Sequence, residues 1–208
     1  MAKLKIRNVF AIGREHYATY ASAYHKIPIS EQMTCGICRR VLDHCRRLPF
    51  RKLIWFTTSQ GAKRKRGQLG DFTWHGRSDE ALISDRLKTE LQKFLEGYPL
   101  KEVPYENRFE LPSVNAGQPI WELTDLPFAQ IDLAKTGAEL IKVCPECGNR
   151  TFNFNAEMNL VVSRKSWDNW HFFSVREFEM MFVTEPVLRC LQEFGATNFQ
   201  IRRTATLG

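Results

Sequence analysis

The sequence of 208 residues predicts an α+β fold made of two sheet-plus-helix halves. Three observations favour this fold class: short runs of β-branched and aromatic residues, two amphipathic helices that each precede a strand, and two widely separated Cys-x-x-Cys pairs. Hydrophobic residues form 43% and charged residues 25% of the chain, as is typical of a globular protein. We therefore expect the two halves to share one core and to be stapled by a four-cysteine zinc knuckle.

The N-terminal half contains several predicted elements. Residues 1–10 alternate basic and apolar side chains, which predicts an amphipathic strand, and tyrosines at helical spacing predict a helix over residues 15–24. The aromatic and β-branched stretch 52–58 predicts a buried strand, and residues 71–74 predict another. Between these strands, the run Lys-Arg-Lys-Arg at residues 63–66 stands among glycines and predicts an exposed basic loop.

The two helices have the clearest local signals. Ser84 is a suitable N-cap for the first and Thr184 for the second, and a glycine follows each helix end. Strands are predicted after them, over residues 100–105 and 199–203. The helices correspond at an offset of 100, which indicates either an internal repeat or the common occurrence of such helices. The corresponding residues are Ser84, Leu87, Leu91 and Phe94 in the first, and Thr184, Val187, Leu191 and Phe194 in the second.

The chain is divided by composition into three parts. Residues 1–108 form a basic half with the first cysteine pair, and residues 144–208 form a C-terminal half with the second. Residues 109–143 contain three prolines and two glycines, so we expect an irregular connector with at most one helical turn, near residues 133–136. Within the last part, strands are predicted near residues 160–163 and 170–173.

The strongest chemical signal is the two cysteine pairs. The sequence shows neither an export signal nor a membrane-length apolar run, so we expect a cytoplasmic protein whose six cysteines are reduced. Cys35 and Cys38 form the first pair, and Cys144 and Cys147 form the second, which a glycine follows. Together they supply the four thiolates of a structural Zn²⁺ site.

Other arrangements of the cysteines remain open. The 105 residues between the pairs exceed the spacing of common zinc ribbons, so a shared ion requires the fold to join distant segments. A local set of the first pair with His44 and Cys45 is an alternative, and a redox-active dithiol is another. Catalytic motifs are absent from the sequence, and a closed thiolate shell leaves no position for a reacting water, so we expect no enzyme.

The charge of the chain is unevenly distributed. Residues 1–70 carry a net charge of +12, whereas residues 71–208 carry −5. The basic excess is typical either of a solvated face or of a surface for nucleic acid or an acidic partner. Because the nearby aromatic residues fall in a predicted core strand, we expect at most weak, non-specific binding of nucleic acid.

The arrangement of these motifs resembles the bacterial double-CxxCG motif family over nearly the full length. His25, Lys26 and Pro28 precede the first pair, Cys-Pro-Glu-Cys-Gly at residues 144–148 opens the C-terminal third, and Phe-Val-Thr-Glu at 182–185 precedes the last helix. Arg39, in place of the glycine of the first motif, and the additional Cys45 depart from the family pattern. The resemblance implies a zinc-knuckle protein without known catalysis, and some relatives are immunity proteins that neutralise an antibacterial toxin.

An immunity role implies that the partner is a protein toxin and that the protein does not bind a membrane. A toxin that acts in the cytosol is often a nuclease, whose basic groove is complementary to an acidic surface. The acidic residues that flank the two helices are the predicted contact surface, although each also suits a solvated helix start. They are Asp79, Glu80, Asp85, Asp168, Glu177, Glu179 and Glu185. The alternative function is a zinc-ribbon regulatory protein that binds nucleic acid through the basic half.

Overall fold

The computed structural model describes ten stretches of the chain. These are residues 6–15, 22–25, 35–38, 53–56, 70–74, 81–106, 118–123, 126–175, 177–178 and 180–208. The strands are β1 (Asn8–Gly13), β2 (Ser22–His25), β3 (Leu53–Phe56), β4 (Phe72–Trp74), β5 (Ala81–Ser84), β6 (Lys101–Glu102), β7 (Tyr105–Glu106), β8 (Ile120–Leu123), β9 (Phe128–Ala129), β10 (Leu140–Val143), β11 (Arg150–Phe152), β12 (Leu160–Val162), β13 (Phe172–Val175), β14 (Met180–Thr184) and β15 (Gln200–Leu207). The helices are α1 (Asp85–Glu90), α2 (Leu133–Thr136) and α3 (Glu185–Phe194). Mixed sheets with few helices agree with the predicted α+β class.

Two larger sheets carry most of the fold. One has the order β12-β15-β1-β14-β13-β9, and the other has the order β4-β5-β8-β6. In the first sheet, β1 from the start of the chain lies between β14 and β15. In the second, β8 lies between β5 and β6, so β1 and β8 are each inserted between two strands that follow one another along the chain. Two smaller sheets have the orders β2-β3-β7 and β10-β11.

The strand pairings in the two larger sheets share one register at an offset of 100. The pairs in β4 and β5 are Phe72 with Ile83, Thr73 with Leu82 and Trp74 with Ala81; those in β13 and β14 are Phe172 with Val183, Phe173 with Phe182 and Ser174 with Met181. The last residues of β5 and β14 also correspond, because each lies opposite the inserted strand of its sheet. Ser84 lies opposite Ile120 in β8, and Thr184 lies opposite Val9 in β1. The parallel pairs of Leu53 with Tyr105 and of Leu160 with Ala205 correspond only in part, because Tyr105 and Ala205 are 100 residues apart but Leu53 and Leu160 are 107 apart.

The core joins the two sheets through their helices. One buried cluster combines Leu87 and Leu91 of α1 with Val187 and Leu191 of α3. Hydrogen bonds cross between the halves in a reciprocal way: the Asn198 side chain donates to Phe72 O at 2.7 Å, and Tyr98 Oη donates to Phe172 O at 2.7 Å. A second cluster covers the other face of the six-stranded sheet. It includes Val9, Ala11, Trp167, Phe173 and Phe182.

The helix ends follow the sequence signals in part, because α1 ends at Glu90 with Leu91 as its C-cap, ahead of Gly97, the glycine predicted to follow it. Ser84 caps α1 by accepting a hydrogen bond from Leu87 N, and Gly195 ends α3 in the left-handed region at φ 69°. Thr184 occupies the N-cap position of α3 without a side-chain capping bond. Its hydroxyl is instead hydrogen-bonded to His171 Nδ1 at 2.8 Å. The predicted N-cap position of Thr184 is therefore confirmed, but its side chain makes no capping hydrogen bond.

Two other expectations differ from the structure. The predicted helix over residues 15–24 is wrong at its end, because Ser22–His25 form β2 and pair with β3. Residues 109–143 contain α2 at the predicted turn, but their described part also holds β8, β9 and β10. These strands are short, and their pairing partners lie in other segments, so the local composition does not identify them.

Candidate metal centre

The second cysteine pair lies in the turn of the β10–β11 hairpin. Cys144 N donates to Asn149 O at 2.8 Å and Gly148 N donates to Cys144 O at 2.9 Å, so backbone hydrogen bonds close the turn. Gly148 has φ 71°, a left-handed conformation that costs other residues free energy. An added Cβ at this position meets no atom within 4 Å, so the backbone conformation alone favours glycine here.

The first cysteine pair packs directly against the second. Cys35 Sγ lies 3.6 Å from Cys144 Sγ, and Cys38 Sγ lies 3.5 Å from Cys147 Sγ. All four sulfur atoms lie within 4.8 Å of one another. Cys35 and Cys144 are buried, whereas the other two are partly exposed. The fold thus brings together the four residues that the sequence singles out as ligands.

The sulfur geometry fits a metal ion and excludes disulfides between the pairs. A disulfide needs sulfurs about 2.05 Å apart, and these four cysteines are free. A tetrahedral ion with metal–sulfur bonds of about 2.3 Å has sulfurs roughly 3.8 Å apart. The two separations of 3.5 and 3.6 Å are close to that value. The four cysteines are therefore positioned to hold a metal ion.

A carboxylate also connects the two pairs. Glu146 Oε2 accepts a hydrogen bond from Ile37 N at 3.0 Å and another from the Cys35 thiol at 2.8 Å. These two donors, the thiol first, lower the pKa of Glu146. Metal coordination by Cys35 requires loss of the proton that it donates to Glu146. Metal binding and the Cys35–Glu146 hydrogen bond therefore exclude each other, whereas the Ile37 N–H remains a donor in both states.

The cysteines of the two pairs differ in acidity. The backbone N–H of Cys147 contributes most to lowering the pKa of Cys144 to about 6. For Cys35, the backbone N–H of Cys38 favours the thiolate, but Glu146 and burial outweigh it and raise the pKa to about 12. The hairpin turn therefore stabilises a thiolate in the absence of metal, while Cys35 stays protonated until an ion displaces its proton.

The other cysteine and histidine candidates do not join this cluster in the described structure. His44 and Cys45, the alternative ligands, lie outside the described residues. Cys190 is buried on α3, where its thiol donates to Glu90 Oε1 at 3.5 Å, and burial followed by Glu90 raises its pKa. His171 is half-buried, and its pKa is lowered by that burial. Both residues contribute to the core rather than to the metal centre.

The predicted acidic contact residues are dispersed. Asp85 Oδ1 accepts from Trp121 Nε1 at 2.8 Å, Glu177 Oε2 accepts from Ile131 N at 3.3 Å, and Glu185 pairs with Arg189 at 3.4 Å. Asp168 is exposed. The remaining predicted members, Asp79, Glu80 and Glu179, lie outside the described residues. Three of the four described carboxylates therefore already support the fold.

Sequence reasoning missed Glu146 and Asp71, and neither has a distinctive local signal. Glu146 matters only because the first cysteine pair lies beside it, and Asp71 only because Thr197 and Arg86 converge on it.

Comparison with protein-family models and with curated proteins finds no match for the sequence. Among the described residues, no helix is both long enough and apolar enough to cross a membrane.

Proposed function

We propose that the four cysteines bind one structural Zn²⁺ ion. Zinc favours a tetrahedral shell of four thiolates, and Cys-x-x-Cys turns are its usual source in proteins. The close approach of the two pairs and the absence of a disulfide between them support this assignment. Because four protein ligands fill the coordination shell, the site has no open position for a reacting water, and the proposed role is non-enzymatic.

The zinc proposal is tested by elemental analysis of protein purified without added metal. We expect about one zinc per chain and a lower unfolding midpoint after chelation, since metal binding contributes to folding free energy. Iron or copper in stoichiometric amount contradicts zinc as the resident ion. A metal-free chain that unfolds at the same midpoint contradicts the site altogether.

We further propose that the chain is an internal repeat whose two copies share the metal. The matching registers of β4–β5 with β13–β14, and the partial correspondence of β3–β7 with β12–β15, support this interpretation. The cysteine pairs correspond at a larger offset, because Cys35 and Cys144 are 109 residues apart, as are Cys38 and Cys147. In this arrangement each copy supplies one pair, and β1 and β8 are exchanged between the copies.

We propose that the protein is a cytoplasmic immunity protein that binds and neutralises a cognate antibacterial toxin. The observation that carries this proposal is the four-sulfur site, because it joins the two cysteine pairs on which the resemblance to the double-CxxCG family rests, and some members of that family are immunity proteins. A nuclease acting in the cytosol is one class of toxin that suits this role. The protein itself needs only a rigid binding surface, which a metal-stapled fold supplies.

Co-purification with the product of the neighbouring gene tests the immunity role. We expect a stable complex of the two purified proteins, and we expect expression of this chain to protect cells from that product. A neighbouring protein that neither binds nor is toxic contradicts the proposal.

The basic half supports the second candidate, a zinc-ribbon regulator that binds nucleic acid. The net charge of +12 over residues 1–70 provides an electrostatic attraction to phosphate. The binding of duplex DNA, titrated over a range of salt concentrations, tests this candidate. Sequence-dependent binding of about nanomolar affinity at physiological salt favours the regulator, whereas weak binding that vanishes with salt favours the immunity role.

A further inference from the structure

The β10–β11 hairpin exposes large aliphatic side chains on a single strand. Leu140 is 50% exposed, Ile141 is 66% exposed and Val143 is 47% exposed. Among the described strands, β10 pairs with β11 alone. Isolated surface aliphatics are ordinary, but three within four residues expose apolar area that folding leaves in contact with water.

The proposed repeat offers an internal control for this apolar strand. Residues 31–34, which stand at the same distance before Cys35, read Glu-Gln-Met-Thr. The positions of Leu140, Ile141 and Val143 are thus polar in the other copy. The apolar side chains are therefore not a requirement of the metal turn, and they call for another explanation.

Basic side chains lie on both strands of the hairpin, and one exposed carboxylate, Glu139, directly precedes β10. Lys142 lies within β10, and Arg150 lies opposite Val143 on β11. Neither side chain forms an ion pair with another residue in the described part of the chain. The nearest carboxylate in the turn, Glu146, accepts hydrogen bonds from Ile37 N and Cys35 instead. The surface therefore combines an aliphatic centre with unpaired cations.

This combination distinguishes between classes of partner. A second copy of the chain, related by a two-fold axis at β10, brings like charges together, which is unfavourable. Nucleic acid is recognised through cations and aromatic rings, but the centre here is aliphatic, and the neighbouring Phe152 ring packs against Phe154 at 5.6 Å. A protein surface with an apolar centre and a carboxylate border fits both features.

We propose that the β10–β11 hairpin is the docking surface for a protein partner whose apolar contact region is bordered by carboxylates. The proposal rests on the proposed binding function, but it does not depend on the partner being a nuclease. The metal centre in the hairpin turn holds the two strands in place and so preorganises this surface. The proposed contact thus lies on the hairpin that carries the second cysteine pair rather than on the acidic residues beside the helices.

The test compares two exposed isoleucines. Ile141→Glu places a carboxylate in the proposed contact, whereas Ile201→Glu makes the same change on β15, where Ile201 is 44% exposed. Binding of the purified neighbouring gene product is measured by calorimetry, with zinc content and unfolding midpoint recorded for each variant. We expect Ile141→Glu and Arg150→Glu each to weaken binding by about tenfold or more, and Ile201→Glu to leave it unchanged.

The possible outcomes separate the two proposals. If the wild-type complex forms and Ile141→Glu leaves its affinity unchanged, while Asp168→Lys or Glu185→Lys weakens it, the hairpin surface is excluded.

If the wild type binds no neighbouring protein, the proposed immunity function fails. The docking surface is then tested separately, with a photo-cross-linking residue at position 141 in living cells. A protein adduct of one defined mass that is absent at position 201 and lost with Arg150→Glu supports it. Adducts at both positions, at neither, or to nucleic acid exclude it.

Discussion

At the scale of single residues, Asp71 links three segments of the fold. The side chain is 2% exposed, and its carboxylate accepts hydrogen bonds from Arg86 Nε at 2.6 Å and from the hydroxyls of Ser84 and Thr197, each at 2.9 Å. Burial alone raises the pKa of this carboxyl, but the donors, Arg86 first, outweigh it and hold the pKa below its usual range. Asp71 thus stays ionised and ties the start of β4 to α1 and to the segment that follows α3.

We expect Asp71→Asn to lower the free energy of unfolding by about 2–3 kcal/mol at pH 7, since it weakens several charge-assisted hydrogen bonds. This loss of unfolding free energy is modest because Arg86 is largely exposed, so solvent screens its attraction to Asp71. The lowered pKa means that this stabilisation is present above the unfolded-state value near about 4 and is lost as the pH falls through the folded-state value.

Urea unfolding from pH 7 to pH 3 measures this effect. The stability difference between wild type and Asp71→Asn should narrow below about pH 4. The exposed Asp168 provides the matched control, since Asp168→Asn should change stability by less than about 0.5 kcal/mol. A difference that is constant with pH contradicts the role assigned to the Asp71 charge.

Gly148 permits a second residue-scale prediction. Gly148→Ala forces a side chain into the left-handed conformation of the hairpin turn and should cost about 1 kcal/mol of stability. Because this turn aims the Cys147 and Cys144 sulfurs, metal affinity in a chelator competition should fall as well. Gly36→Ala is the control, since its Cβ would meet Glu146 at an ordinary 3.5 Å. Equal metal affinity in both variants contradicts the conformational argument.

At the scale of elements, the helices α1 and α3 start differently although their surrounding strands match. The Ser84 hydroxyl accepts from Leu87 N and donates to Asp71, whereas the Thr184 hydroxyl contacts His171. Ser84→Ala should therefore cost about 1–2 kcal/mol, as expected for loss of a cap and a buried hydrogen bond. Thr184→Val, which keeps the volume, should cost less; equal or greater destabilisation in denaturant unfolding contradicts this ranking.

Local signals predicted some elements and missed others for identifiable reasons. The starts of α1 and α3, the end of α3 and the turn at α2 have caps or terminal glycines within their own segments, so these positions follow from sequence. In contrast, the tyrosines of residues 15–24 have helical spacing, so the sequence predicts a helix there. The end of this segment forms β2 instead, because it pairs with β3, and that pairing has no local signal. The cysteine ligands were predictable from their spacing, but Glu146 was not, because its role depends on the first pair.

At the scale of the whole molecule, the metal centre joins segments that are far apart in sequence. Each pair lies in a short turn, and neither pair alone fills a four-ligand shell. An ion bound by all four cysteines would close this long loop, so its binding free energy would stabilise the fold as a whole rather than one hairpin.

Cysteine variants provide the corresponding prediction. Cys35→Ser and Cys144→Ser should each reduce the bound metal well below one per chain and lower the unfolding midpoint by similar amounts. The double variant should be little worse than either single variant, because removing one ligand already removes the shared ion. Metal analysis and thermal unfolding measure both effects. Additive losses contradict a single shared site.

The insertion of β1 between β14 and β15 has a consequence for biosynthesis. Asn8 pairs with Thr206, so β1 leaves the ribosome well before β15 and cannot be enclosed until β15 has been made. At a translation rate of about 5–20 residues per second, this interval lasts roughly 10–40 s. During that time the apolar side chains of β1, among them Val9 and Ile12, have no sheet to join. We therefore expect the newly synthesised chain to bind chaperones that recognise extended apolar segments until β14 and β15 have been made.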